Sequence, residues 1–175
     1  MKKILAFAGS NSKTSINKQL AIYTASNTEN VTFDVADLND YQLPIFSLEE
    51  EEKGFPKSAV AFNDLLGNYD GFVVSLAEHN GSYAAVFKNI FDWTSRIDRK
   101  VFKDKPLLLM ASSPGARGGA SVLETAAATF PHLGGNIVAK FSLPSFYDNF
   151  KDGELINLEL KESLSVAIKE FQKAI

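Results

Sequence analysis

The chain has no cysteine among its 175 residues, so disulfide frameworks, thiolate nucleophiles and cysteine-held iron–sulfur clusters are excluded. Histidine is nearly as scarce. His79 and His132 stand far apart, which leaves no zinc-ligand spacing and predicts no metal site. No apolar run approaches the roughly 20 residues of a membrane span. The basic start Met1-Lys2-Lys3 is followed only by Ile4 to Ala8 before Gly9-Ser10, too short for the core of a signal peptide, and a cytoplasmic location is expected. A strong charge of either sign is missing as well. The net charge is -3 with Lys and Arg scattered, so neither a nucleic-acid nor a membrane partner is expected.

What is present is the composition of a folded chain, 45% hydrophobic and 22% charged, at a length that suits one domain over residues 1–175. Three short apolar runs end in small or polar residues: Ile4 to Ala8, Phe72 to Leu76 and Leu107 to Ala111. Such continuous runs are the signature of parallel strands buried on both faces. Val31 to Val35 and Ile137 to Leu143 make two more strands of mixed polarity. Helix-period segments lie between and after them: Ser15 to Ala25, Ala59 to Gly67, Ala84 to Ile97, Val122 to Leu133 with Pro131 late in it, and Leu158 to Ile175.

Five alternations of strand and helix predict an α/β, flavodoxin-like three-layer sandwich. Its five-stranded parallel sheet should have the order 2-1-3-4-5. The stretch Asn39 to Phe55 breaks the rhythm with Pro44 and the acidic run Glu49 to Glu52, and reads as a long surface loop or a helix start. Ligands of such folds sit beyond the carboxyl ends of the strands at a switch point. That rule selects Gly9 to Ser15, Leu76 to Tyr83 and Ser112 to Gly119.

The first of these, Gly9-Ser10-Asn11-Ser12-Lys13-Thr14-Ser15-Ile16-Asn17, links a strand to a helix with hydroxyls and backbone amides, a setting that suits a phosphate. It contains neither GxGxxG nor a Walker A sequence. Read alone, it is equally a helix N-cap. In the second, Glu78 and Asn80 place hydrogen-bonding groups at a strand end, and Gly81 allows close backbone approach. The third, Ser112 to Gly119, leaves amides free beside Pro114, Gly115, Gly118 and Gly119. Those amides fit the edge of a flat heterocycle, and a flexible turn explains them as well.

Together the three segments resemble the NADPH-dependent FMN reductase family, which includes quinone, azo-dye and chromate reductases. The family pattern runs G-S-x-R-x-x-S-x-N, then P-E-Y-N-x-S-x-x-x-L-K-N-x-x-D-W-x-S-R, then K-P-x(5)-[GA]-S-x-G-x-x-G-G. This chain supplies Gly9, Ser10, Ser15 and Asn17; then Glu78, Asn80, Ser82, Lys88, Asn89, Asp92, Trp93, Ser95 and Arg96; then Lys105, Pro106, Ser113, Gly115, Gly118 and Gly119.

The resemblance implies bound FMN, with NADPH or NADH as co-substrate and a quinone, free flavin or other small molecule as electron acceptor. It puts Ser10, Ser15 and Asn17 on the FMN phosphate, with Gly9, Ser12, Lys13 and Ile16 in the same loop. Ala77, Glu78, His79, Asn80 and Gly81 would line one side of the ring system, and Ser113, Pro114, Gly115, Arg117 and Gly118 its other edge. It also implies a homodimer or homotetramer. The helix carrying Lys88, Asp92 and Arg96 would lie near the subunit contact, with Asp92 and Arg96 as a surface pair one turn apart. The flavin carries the chemistry, so no catalytic side chain is expected.

Three positions depart from the pattern. Ser12 replaces an arginine, His79 a tyrosine and Ala77 a proline. Lys13 and Arg117 are the cations left to meet the flavin phosphate and the 2′-phosphate of NADPH. The rival reading is a flavodoxin-type electron carrier, or an FMN-binding protein without NAD(P)H turnover.

Overall fold

The computed structural model describes residues 1–175. Strands β1 (Lys2–Gly9), β2 (Val31–Ala36), β3 (Gly71–His79), β4 (Lys105–Ser112) and β5 (Gly135–Leu143) form one parallel sheet. Their spatial order is β2-β1-β3-β4-β5, the expected flavodoxin-like arrangement. The order reverses at β1, because successive crossovers run first to one side of it and then to the other.

Side-chain alternation along these strands divides the core in two. Leu5, Phe7, Phe72, Val74, Leu76, Leu107 and Leu109 point to one face. There they meet α2 (Lys57–Gly67), α3 (Ala85–Ile97) and α4 (Ala120–Thr129). Ile4, Ala6, Val73, Leu108 and Met110 point to the other, under α1 (Ile16–Ser26) and α5 (Leu158–Ala174). Phe87, Phe91, Phe102 and Phe130 meet beneath α3 and α4, with the Phe102 and Phe130 centroids 4.5 Å apart. Each such ring taken from water contributes on the order of 1.5–3 kcal/mol.

Three local details differ from the sequence reading. Helix α4 ends at Thr129, and Phe130–Leu133 tightens into a 3-10 turn. Pro131 has no amide to continue the α-helical ladder. The second selected loop is mostly not a loop: β3 runs on to His79, the chain reverses at Asn80-Gly81, and Ser82–Tyr83 returns antiparallel to it. Asn80 and Gly81 have φ of 51° and 77°, the geometry of the tight hairpin turn that Asn-Gly favours. Asp92 and Arg96 do not pair. Asp92 binds Lys88 at 2.7 Å, and Arg96 reaches Glu51 at 2.8 Å.

Glu51 lies in a short helix, Leu48–Glu51, capped by Ser47, so the acidic run is a helix start. Pro44, just before it, accepts hydrogen bonds from the Trp93 indole at 2.8 Å and the Asn89 amide group at 3.0 Å. The 39–55 segment is thereby strapped to α3.

Candidate functional site

The carboxyl ends of β1, β3 and β4 open into a cleft of about 220 Å³ at the switch point. Its floor is built around Asn17, which is 2% exposed. The Asn17 carboxamide donates to the Ser112 carbonyl at 3.1 Å and accepts from the Ser112 amide at 2.9 Å and the Ser75 hydroxyl at 2.6 Å. It therefore joins the start of α1 to β3 and β4. Both ends of the side chain thus brace the scaffold, while the second carboxamide hydrogen and the backbone amide make no hydrogen bond within the chain.

The first loop forms one wall. Ser15 is the N-cap of α1, its hydroxyl oxygen accepting from the Lys18 amide at 3.1 Å. Ser10 accepts from the Ser12 amide at 3.1 Å. Both hydroxyls are buried at the cleft and keep their own hydrogen for donation. Ser12 and Thr14 line the same wall. The amides of Ile16 and Asn17 are first-turn donors with no carbonyl one turn back. The first turn of α1 holds no acidic residue. A helix N-terminus with converging O–H and N–H donors and no opposing carboxylate in its first turn is fitted to a phosphate.

The loop is steadied from outside. Asp37 binds Lys18 at 2.6 Å and accepts from the Asn39 amide at 2.9 Å; the Asn39 side chain in turn donates to the Asn11 carbonyl at 3.2 Å. The Lys18 hydrogen bond, followed by the Asn39 amide, holds the Asp37 carboxyl below the usual carboxylate range.

Ala77, Glu78 and His79 line the cleft from the end of β3. Glu78 accepts from the Val122 amide at 2.9 Å and so caps the first turn of α4. Its hairpin partner Tyr83 packs on Phe87 with centroids 5.3 Å apart, and burial pushes the Tyr83 phenol up. From the last residue of β4 and the loop after it come Ser112, Ser113 and Pro114.

Several expected residues lie outside this cleft. Gly9 is a packing position: a Cβ there would sit 2.8 Å from Leu76 Cδ2 and 3.2 Å from the Phe87 ring. Gly118, at φ 59°, is pressed against the end of β5, where a Cβ would collide with Ser142 Oγ and lie 3.0 Å from the Pro144 nitrogen. Asn80 and Gly81 are exposed on the hairpin turn, and nothing stands within 4 Å of a Cβ at Gly81. Lys13, Gly115 and Arg117 are also exposed, with Arg117 donating to the Ser121 hydroxyl at 2.9 Å.

The sequence reading gives no contact to three cleft residues: Thr14 and Ser112, which lie within the selected loops, and Tyr147. The first two adjoin residues already singled out. Tyr147 arrives on a fourth segment, after β5, that carries no motif. A wider groove of about 550 Å³ between α1 and α5 lies away from the strand ends and mixes Leu158 and Ile168 with Glu29, Lys161, Glu162 and Lys169.

A doubly wound parallel sheet with an anion-fitted crevice at its switch point defines a flavodoxin-like α/β protein. The profile of the NADPH-dependent FMN reductase family matches residues 2–148. The chain belongs to that family.

It is 36% identical over 120 residues to a 2-hydroxy-1,4-benzoquinone reductase from Burkholderia sp, covering 67% of this chain and 64% of the relative. A quinone reductase from Escherichia coli (strain K12) is 32% identical over 123 residues, covering 67% and 63%. The matched stretch thus spans less than two thirds of either reductase's length. Among solved structures, the flavoenzyme NAD(P)H:(acceptor) oxidoreductase FerB from Paracoccus denitrificans superposes with a TM-score of 0.76 at 22% identity, covering 99% of both chains, a likeness of fold.

Proposed function

We propose that the chain, acting over residues 1–175, is an FMN-dependent oxidoreductase that moves hydride from NADPH or NADH to a quinone, free flavin or similar small acceptor. The observation that carries this is the cradle at the start of α1, where the Ser10 and Ser15 hydroxyls meet first-turn amides in a crevice shared with the ends of β3 and β4. Family membership and the two quinone reductase relatives support the reaction class.

The residues fit the cofactor unevenly, and in an informative way. At about 220 Å³ the cleft is smaller than the roughly 300–1,000 Å³ of pockets that enclose a whole ligand. Its donors would hold one end, the phosphate, and His79 and Pro114 would be left for the ring system. When bound, FMN supplies the two-electron relay between nicotinamide and acceptor. The chain's part is to bind and orient. Ser10 and Ser15, together with one hydroxyl of the Ser12–Thr14 pair, would donate to the phosphate. Asn17, through Ser75 and Ser112, keeps the cleft walls in register. Amides of Gly115, Ala116 and Arg117 make no hydrogen bond within the chain and are free to stabilise negative charge at the ring edge. Exposed Arg117 is the cation assigned to the NADPH 2′-phosphate. No helix is long and apolar enough to cross a membrane. A cytoplasmic location is part of the proposal.

Self-association as a homodimer or homotetramer belongs to the same reading. It is supported by Ile45, Leu48 and Phe55, which expose apolar surface on the segment strapped to α3.

The deciding experiment records the visible spectrum of purified protein mixed with FMN, then adds NADPH and NADH in turn, then benzoquinone. Bleaching by a nicotinamide and recovery with quinone are expected. Bound flavin that no nicotinamide reduces would point to an electron carrier. Flavin that stays free would remove the cofactor reading altogether.

A further inference from the structure

We infer that Tyr147 is a phosphate-recognition residue whose phenol completes the cradle lined by Ser10, Ser12, Thr14 and Ser15. The inference rests on the FMN reading above and extends it to a residue outside the matched motifs.

Tyr147 lines the cleft although it is 63% exposed, while its neighbours Phe146 and Phe150 are buried with their rings stacked at 4.9 Å. The short turn Phe146–Asn149 is thus anchored by its phenylalanines, and its tyrosine is the ring left for the cleft. The anchor fixes the face of the sheet from which the ring reaches the cleft. Phe150 packs edge-on to Tyr23 of α1 at 5.5 Å, and Phe146 belongs to the same half of the core as α1. The Glu78–Tyr83 hairpin packs on the opposite half. Tyr147 therefore reaches the cleft from the α1 face of the sheet and not from the hairpin face, and shares that cleft with Ser10, Ser15 and the first-turn residues Ile16 and Asn17.

The turn is also held in a conformation that a free chain avoids. Ser145 has φ 45°, a left-handed value that costs a non-glycine residue on the order of 1 kcal/mol. It is maintained because the Ser145 amide donates to the Gly115 carbonyl at 2.9 Å and the Phe146 amide to the Ser113 carbonyl at 3.1 Å. Asn149 adds a bond to the Pro144 carbonyl at 2.9 Å. The third loop and the Tyr147 turn are consequently one unit.

The chemistry completes the case. Ser12 stands where the family pattern has an arginine, and Lys13 lies outside the cleft, so the cradle contains no cation of its own. A phenol O–H is a directional donor to a phosphate oxygen and needs no counter-charge.

The test titrates FMN and riboflavin into the apoprotein by flavin fluorescence, for wild type, Tyr147→Phe and Tyr147→Ala, with melting temperature as a check on folding. Riboflavin lacks the phosphate, so it separates the two ends of the ligand. Tyr147→Phe should weaken FMN about tenfold, as loss of a hydrogen bond to a charged group does, and leave riboflavin unchanged. Inorganic phosphate should compete with FMN more weakly in the variant than in wild type. Unchanged FMN affinity in Tyr147→Phe overturns the inference. Equal losses for FMN and riboflavin overturn it too, by making Tyr147 a ring contact. A wild-type protein that binds neither flavin overturns the FMN reading and this inference with it.

Discussion

Asn17 and Ser112 exchange two hydrogen bonds across 95 positions of sequence, amide to carboxamide oxygen at 2.9 Å and carboxamide nitrogen to carbonyl at 3.1 Å. The side chain behaves there as one more residue of strand, pairing with the last residue of β4. Replacing it with alanine strands the Ser112 backbone and the Ser75 hydroxyl in a region closed to water, at about 1–3 kcal/mol for each unmet group. Asn17→Ala should therefore lose about 3 kcal/mol or more in urea unfolding. Asn17→Asp keeps the acceptor but sets a carboxylate oxygen against the Ser112 carbonyl. The unfavourable ionised form raises the introduced carboxyl's folded pKa, so the deficit of this variant should shrink as pH falls and that group takes up a proton to donate.

Glu78 is tied to Val122 at 2.9 Å. Glu78→Ala leaves a first-turn amide of α4 without its cap, and a loss of about 1 kcal/mol follows. Hydrogen exchange at the Val122 amide is the direct measurement: it should accelerate in Glu78→Ala. Glu78→Gln retains an acceptor and should exchange close to wild type.

Acid should weaken the first loop through Asp37. The folded pKa of this carboxyl lies below its ordinary value, first because of the Lys18 hydrogen bond. Its contribution is then present above about pH 4, the unfolded value, and is lost as pH falls through the folded value. Both partners are about a third exposed, so solvent screening limits the gain to about 1 kcal/mol or less. Urea midpoints of wild type and Asp37→Asn should differ by a constant amount from pH 5 upward (about one unit above the unfolded value) and converge below about pH 4.

Ser12→Arg introduces the cation that the cradle lacks. A guanidinium placed among the phosphate donors should tighten FMN about tenfold at low salt, and the gain should fall as ionic strength rises. Isothermal titration at two salt concentrations measures both effects. Riboflavin affinity should not follow.

The sheet was legible because burial on both faces demands continuous apolar runs, and Ile4 to Ala8, Phe72 to Leu76 and Leu107 to Ala111 are such runs. Their ends were harder to read. Lys2 and Lys3 pair in β1 through backbone groups that side-chain polarity does not report. The Asn80-Gly81 turn carries a recognisable hairpin signal, but the returning strand is only Ser82–Tyr83, too short to show alternation. Helical spacing offered Asp92 to Arg96, and tertiary packing brought Glu51 closer. Of the cleft, hydroxyl loops and strand ends were readable from position in the α/β rhythm. Tyr147 was not, because its placement depends on Ser145 and Phe146 bonding to a loop thirty residues earlier, a relationship with no local pattern.

The walls of the crevice are fastened to one another and to their surroundings by the chain's own hydrogen bonds: Asn11 to Asn39, Asn17 to Ser112, Glu78 to Val122, Ser113 to Phe146. Ordering them is accomplished during folding, so association with a mononucleotide has little loop entropy left to overcome. Preorganisation of this kind means that the empty and loaded forms should share one backbone, and that a loosened brace should be felt as weaker affinity even where it touches no part of the ligand.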